Sequence, residues 1–125
     1  LNANVLVVAA AGNGKRDSCT GLYDPVTTPD KLLVGSTTEG GALSYFSSYG
    51  ACVHVQAPGS GILGAWVGSS NAATTTLDGT SMAAPHVSGV AAQLLAEDPT
   101  LSVARVKEII LAAAEVDSLV LSEDA

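Results

Sequence analysis

The chain has 125 residues, 47% of them hydrophobic and 14% charged, with a formal net charge of −7. Its mean hydropathy of +0.37 excludes an intrinsically disordered chain, and its length allows one domain at most. The longest apolar run, Val5 to Ala11, is far short of the ~20 residues a membrane-spanning helix needs, and the acidity argues against a nucleic-acid or phosphate-binding surface.

The acidity is uneven. Residues 1–96 set five acids against Lys15, Arg16 and Lys31, whereas residues 97–125 set seven acids against Arg105 and Lys107 alone. That reads as a solvated C-terminal helix and tail. At the other end, Leu1-Asn2-Ala3-Asn4 carries no initiator methionine, charged region or cleavable apolar core. No targeting signal is visible there, and the chain reads as a piece that begins in mid-fold.

In chain order, Val5-Leu6-Val7-Val8-Ala9 is an unbroken apolar run, which predicts a strand buried on both faces of a parallel sheet. Gly12-Asn13-Gly14 follows as turn chemistry,. Residues 15–30 are polar, contain Pro25 and Pro29, and predict an irregular loop. Lys31 to Ser36 predicts a second strand, and Cys52 to Val55 a third that is stopped by Ala57-Pro58-Gly59,. Between them the Ser- and Tyr-rich Ser44 to Gly50 reads as irregular. Ile62 to Val67 and Thr74 to Leu77 predict two further strands around a polar loop, and Asp78-Gly79 a turn,.

Two helices close the chain. The first starts at Thr80 and runs to Glu97, with Val87, Val90 or Ala91, and Leu94 recurring on one face,. Pro85 is placed in its first turn or so, where amides lack intrahelical acceptors. The many small residues predict a helix buried against the strands. The second runs from Val103 to about Ala114 behind an N-cap at Ser102, with Val106, Ile109, Ile110 and Ala113 as its inner stripe,. Strands followed by helices give an α/β class.

Three places offer chemistry. The strand ending in Gly12-Asn13-Gly14-Lys15 invites a phosphate-loop reading, but that pattern needs Gly where Ala9 stands and Ser or Thr where Arg16 stands,. Nucleotide binding is therefore set aside. Ser81 lies between a tight turn and a helix, where partial positive charge favours a developing oxyanion; it reads either as a nucleophile or as an N-cap. Asn13 reads either as a turn residue tolerating left-handed φ or as an amide donor at the carboxyl end of its strand.

Ala10-Ala11-Gly12-Asn13, Ala57-Pro58-Gly59 and Gly79-Thr80-Ser81-Met82-Ala83-Ala84-Pro85-His86-Val87 together resemble the C-terminal part of a subtilisin-like serine protease catalytic domain, in detail its proteinase K and aqualysin branch. Residues 1–114 take up the resemblance, and 115–125 are left as an acidic tail. It implies a three-layer α/β fold with a mostly parallel sheet, and a secreted serine endopeptidase acting on proteins or peptides with no organic cofactor. By that resemblance Ser81 is the nucleophile that forms the acyl-enzyme, and Asn13 is the oxyanion-hole donor beside the Ser81 backbone N–H. Ala10, Ala11 and Gly12 resemble one wall of the pocket for the residue before the scissile bond. The same resemblance implies that Cys19 and Cys52 pair as a disulfide; read without it, the alternative of two free buried thiols stays open.

The family's general base and orienting acid, a His and an Asp, stand before the nucleophile in chain order. The only histidines are His54, on a predicted strand, and His86, where the family has a structural histidine. The resemblance thus implies that the upstream Asp/His half is a necessary partner, and that this fragment is inactive alone. A non-catalytic homologue that binds without cleaving is the alternative. Structural calcium is possible in the full enzyme, near Pro29 and Lys31 and at an Asp of the strand where His54 stands. A neutral imidazole is a poor substitute for that hard oxygen ligand. Asp17, Asp24 and Asp30 are the nearby acids, and no residue is assigned as a metal ligand.

Overall fold

The computed structural model describes residues 4–20 and 30–115. Its centre is a sheet of three parallel strands in the order β1 (Val7–Ala10), β2 (Lys31–Thr37) and β3 (Val55–Pro58). β2 lies in the middle and is buried from Leu32 to Ser36, which is why its apolar residues run on without alternation. The register pairs Ala10 with Val34, Val34 with Val55 and Thr37 with Pro58. All three strands therefore bring their carboxyl ends to the same side of the sheet.

The third strand begins at Val55, where the sequence pattern had placed its end. Cys52 is held in a turn and bonded to Cys19, with 5.4 Å between their Cα atoms. That is the pairing the resemblance implied. The ladder instead takes up Gln56, Ala57 and Pro58, and proline is tolerated there as the last residue of an edge strand. The Gln56 side chain lies across Gly35, where any Cβ would collide with it.

β4 (Ile62–Ala65) and β5 (Thr74–Leu77) form a separate antiparallel hairpin. β4 stops short of the predicted Val67 because the Trp66 N–H closes the connection onto the Ala73 carbonyl at 3.0 Å. α1 (Thr80–Glu97) and α2 (Val103–Ala113) follow.

One core joins Leu32, Val34 and Ala57 of the sheet to Ala83, Ala84, Val87 and Ala91 of α1 and to Val106 and Ile110 of α2. Alanine at the α1 contacts lets that helix lie close on the strands, while Leu32 and Val34, both fully buried, contribute roughly 1.5–3 kcal/mol each. A smaller cluster of Ala11, Leu33 and Cys52 occupies the other face. Both helices share the first core, and the described residues place no helix layer on the second face.

α1 departs from expectation in two ways. It is apolar almost all round, yet the described residues cover one side only: Ala91 is buried, whereas Val90 is 46% exposed. Pro85 is the sixth residue of the helix, past the first turn, so the Ser81 carbonyl is deprived of the donor an i+4 amide would supply,. α2 follows its cap as expected, with Ser102 Oγ accepting the Arg105 N–H at 3.1 Å. Its inner stripe is narrower than predicted, since Ile109 is half-buried and Ala113 exposed. Among the described residues no helix is long and apolar enough to cross a membrane. Pro25, Pro29, Asp24 and all of the acidic tail except Glu115 lie outside the described residues.

Candidate active site

Asn13 leaves the carboxyl end of β1, and Ser81 is the second residue of α1. In open α/β sheets this is the side on which ligands bind. The positive φ angles of the β1 turn fall on Gly12 (111°) and Lys15 (52°) and not on Asn13, so the expectation of a left-handed turn asparagine does not hold. The cap of α1 is Gly79, with no side-chain capping bond, so Ser81 is not the N-cap either.

The donors of the first helical turn go to unlike places. Thr80 donates twice to Asn13 Oδ1, from its backbone N–H at 2.8 Å and from its hydroxyl at 2.9 Å. The same hydroxyl accepts the Gly12 N–H at 3.1 Å. The Met82 N–H reaches the Gly79 carbonyl at 3.0 Å. The Ser81 N–H finds no hydrogen-bond partner among the described residues.

These bonds orient Asn13. A backbone N–H can only donate, so the atom facing Thr80 N must be the carboxamide oxygen, and the NH₂ group points away. Asn13 Nδ2 lies 3.5 Å, Ser81 N 3.7 Å and Met82 Sδ 3.3 Å from where a Cβ on Gly79 would stand. Two N–H donors thus border one small hollow that the missing side chain at position 79 leaves open. The partial positive charge of the α1 N-terminus adds to it, and the whole favours an anion.

Gly79 is fixed from behind. Its N–H donates to the Gly59 carbonyl at 2.8 Å. A Cβ on Gly59 would lie 2.6 Å from the Gly79 carbonyl oxygen and would overlap the Ser36 hydroxyl. The backbone carbonyl cannot give way as a flexible side chain would, so this close approach requires glycine.

The other anticipated residues are distributed as follows. Ala10 packs on the α1 core and Ala11 in the Leu33–Cys52 cluster, so at the strand end this stretch presents backbone and Gly12. His54 stands at the amino end of β3, away from Gly59. Its ring Nδ1 accepts the Leu33 N–H at 2.8 Å, while the His54 backbone N–H donates to the Leu33 carbonyl at 2.9 Å. Burial, and then the positive charges of Lys107 and Lys31, hold its pKa below the usual histidine range. His86 Nδ1 is hydrogen-bonded to the Met82 carbonyl at 2.9 Å. Neither ring is hydrogen-bonded to Ser81.

Asp17 Oδ1 accepts the Cys19 N–H at 2.8 Å. Among the described residues no group of three His, Cys, Asp or Glu is placed to hold a metal ion. A groove of about 880 Å³ runs elsewhere, along β3 and between the helices, lined by residues such as Val55, Val87, Leu94 and Ile110. Neither Asn13 nor Ser81 borders it. Two features escaped the sequence reading: Thr80, whose signal was a hydroxyl at the first helical position, and the serines at 36, 44 and 60.

The geometry can be set beside known proteins. The chain is 45% identical over 111 residues to the extracellular serine proteinase of Thermus sp. (strain Rt41A), an alignment covering 89% of this chain and 26% of that protein. It is 42% identical over 114 residues to alkaline serine exoprotease A of Vibrio alginolyticus, covering 91% of this chain and 20% of the relative. The chain therefore spans about a quarter of the first relative's length and a fifth of the second's. The crystal structure of a cold adapted subtilisin-like serine proteinase superimposes with a TM-score of 0.78 at 39% identity, over 88% of this chain and 38% of that one. That likeness gives the sheet and helices a subtilisin-like fold. The family model that matches takes in residues 1–124 and is described as the Subtilase family, peptidase S8, and the chain belongs to that family.

Proposed function

We propose that this chain supplies the nucleophile and the oxyanion-holding side of a secreted serine endopeptidase. In this reading Ser81 Oγ attacks the carbonyl carbon of a peptide bond, and the negative charge that develops on the carbonyl oxygen enters the hollow over Gly79. Asn13 Nδ2 and the Ser81 N–H donate to it there. The general base takes the Ser81 hydroxyl proton and returns it to the amide nitrogen, so that collapse breaks the C–N bond, expels the amine and leaves an ester on Ser81, which water hydrolyses. Backbone of Ala10, Ala11 and Gly12 forms one wall for the substrate side chain. No organic cofactor takes part.

The observation that carries the reading is the orientation of Asn13. Two donors of Thr80 occupy Oδ1, which leaves the NH₂ for the hollow. The general base and its carboxylate come from polypeptide beyond these 125 residues, since the rings of His54 and His86 are engaged elsewhere. With those groups missing, turnover falls by about 10⁶, a magnitude carried over from subtilisin. Secretion is supported by the relative named as extracellular and by the disulfide, which persists in oxidising compartments,.

The test is to produce the chain together with the polypeptide that supplies the Asp and His, and to treat the assembly with a fluorophosphonate. Covalent label mapped to Ser81, with cleavage of an end-blocked quenched peptide that is lost in Ser81→Ala, is expected. An assembly that binds the peptide but takes up no label at Ser81 would instead be a non-catalytic subtilase.

A further inference from the structure

Three serine hydroxyls form a chain behind the candidate site. Ser36 Oγ and Ser44 Oγ lie 2.7 Å apart, and Ser44 Oγ and Ser60 Oγ also 2.7 Å. Ser36 is fully buried on β2, Ser44 is 1% exposed, and Ser60 reaches the surface. Each hydroxyl has one proton to donate. In each of the two contacts either hydroxyl can be the donor, and together they join buried Ser36 through Ser44 to the partly exposed Ser60.

What this chain joins is informative. On one side, the segment holding Ser44 grips the loop that carries Asn13. The Ser48 N–H donates to the Gly12 carbonyl at 2.8 Å, the Lys15 N–H to the Phe46 carbonyl at 3.1 Å, and the Tyr49 N–H to the Arg16 carbonyl at 3.0 Å. The segment is itself locked by the Ser47 N–H on the Ser44 carbonyl at 2.9 Å and by Ser47 Oγ on the Ser36 N–H at 3.0 Å. On the other side, Ser60 follows Gly59, whose carbonyl holds the N–H of Gly79. Gly79 caps the helix that begins Thr80-Ser81. Asn13 and Ser81 come from chain segments 68 residues apart; Thr80 links them at the site, and the hydroxyl of Ser44 links their two supports behind it.

We propose that Ser44 and Ser60 are positioning residues for the reaction at Ser81. Their mutual hydrogen bond braces from behind the two segments that Thr80 joins directly at the site, and so keeps the hollow between the Asn13 carboxamide and the Ser81 N–H in shape. Neither touches the substrate. The inference rests on the reading of Ser81 as nucleophile and Asn13 as oxyanion donor, and it adds the brace behind the two. Misplacement of reacting groups by about 1 Å costs up to ~10²-fold in rate, so loss of the link appears in kcat.

The experiment measures steady-state hydrolysis of a peptide anilide by the active assembly, for the parent and for Ser60→Ala, Ser60→Thr, Ser44→Ala and the double variant Ser44→Ala/Ser60→Ala. Ser60→Ala is expected to lower kcat by about tenfold with KM unchanged. Ser60→Thr, which keeps the hydroxyl, restores the parental kcat. The double variant loses no more than Ser44→Ala, because both remove one link. Thermal unfolding is followed in parallel. Variants that unfold at lower temperature yet keep the parental kcat well below that temperature would overturn the inference, since the serines would then be merely structural. Should Ser81→Ala itself leave turnover intact, the functional reading falls, and this one with it. The two failures are told apart by that control.

Discussion

The carboxamide oxygen of Asn13 accepts both the backbone N–H and the hydroxyl of Thr80, at 2.8 and 2.9 Å. One residue thereby fixes which end of the asparagine faces the hollow. The Thr80 hydroxyl also receives the Gly12 N–H, so it ties the β1 turn to the first residue of α1. Thr80→Val keeps the backbone bond to Asn13 and removes the other two. It is expected to lower kcat by ten- to a hundredfold and to leave a Gly12 donor unpaired at a cost of about 1–3 kcal/mol. Thr80→Ser keeps both. Paired measurements of kcat and urea midpoints check this, and an unaltered kcat in Thr80→Val would remove Thr80 from the site.

His54 gives the protein a pH dependence of defined sign. Its Nδ1 must be unprotonated to accept the Leu33 N–H, and burial, Lys107 and Lys31 all lower its pKa in the folded state. Folding thus favours the neutral ring. The resulting stability is fully present above the unfolded-state value of about 6.5 and is lost as pH falls from there through the lower folded value. Thermal midpoints between pH 8 and pH 5 are expected to fall more steeply for the parent than for His54→Asn. Identical slopes would show that the ring does not titrate against its Leu33 bond.

The Cys19–Cys52 bond closes a loop over a sequence separation of 33, which in the chain-entropy model stabilises by roughly 3–4 kcal/mol. Replacing both cysteines with serine is expected to lower the urea midpoint correspondingly and to abolish its sensitivity to reductant. A reductant effect that survives the double replacement would refute the assignment.

Among the described residues, Gly59 is a glycine where an added methyl group would meet backbone and not only a flexible side chain. Gly59→Ala would set a Cβ against the Gly79 carbonyl oxygen at 2.6 Å, and relief requires the β3 turn and the α1 cap to separate. Activity is expected to fall with stability. By contrast Gly61→Ala meets open space, but at a φ of 67° that disfavours it,. Proteolysis rates of the two variants under native conditions compare them, with Gly59→Ala the faster.

Much of this arrangement is legible in the residues. The Asp78-Gly79 turn and the Ser102 cap each state a local preference that tertiary structure does not override, whereas the apolar run at Val5 to Ala9 marks β1 as a half-buried edge strand of the described sheet and not, as expected, one buried on both faces, with Val5 56% exposed. β3 was misplaced because alternation around Cys52 to Val55 imitates a strand, while the parallel register with β2 selects Val55 to Pro58. The face of α1 was ambiguous because a helix of alanine, glycine and valine has no polar side to mark its exposure. The motif around Ser81 pointed to the site, yet Thr80 and the serine chain remained hidden. Their roles are contacts across tens of residues, and a hydroxyl in sequence does not disclose its partner.

The central claim is that charge on the acylating carbonyl is steadied by the Asn13 NH₂. Its most direct test is the pre-steady-state acylation rate of Ser81 by a peptidyl ester, in the active assembly and in the same assembly carrying Asn13→Leu. The account predicts a rate lower by about 10²–10³ with substrate binding unchanged, a magnitude carried over from the oxyanion-hole asparagine of subtilisin. Equal acylation rates in the two would contradict it.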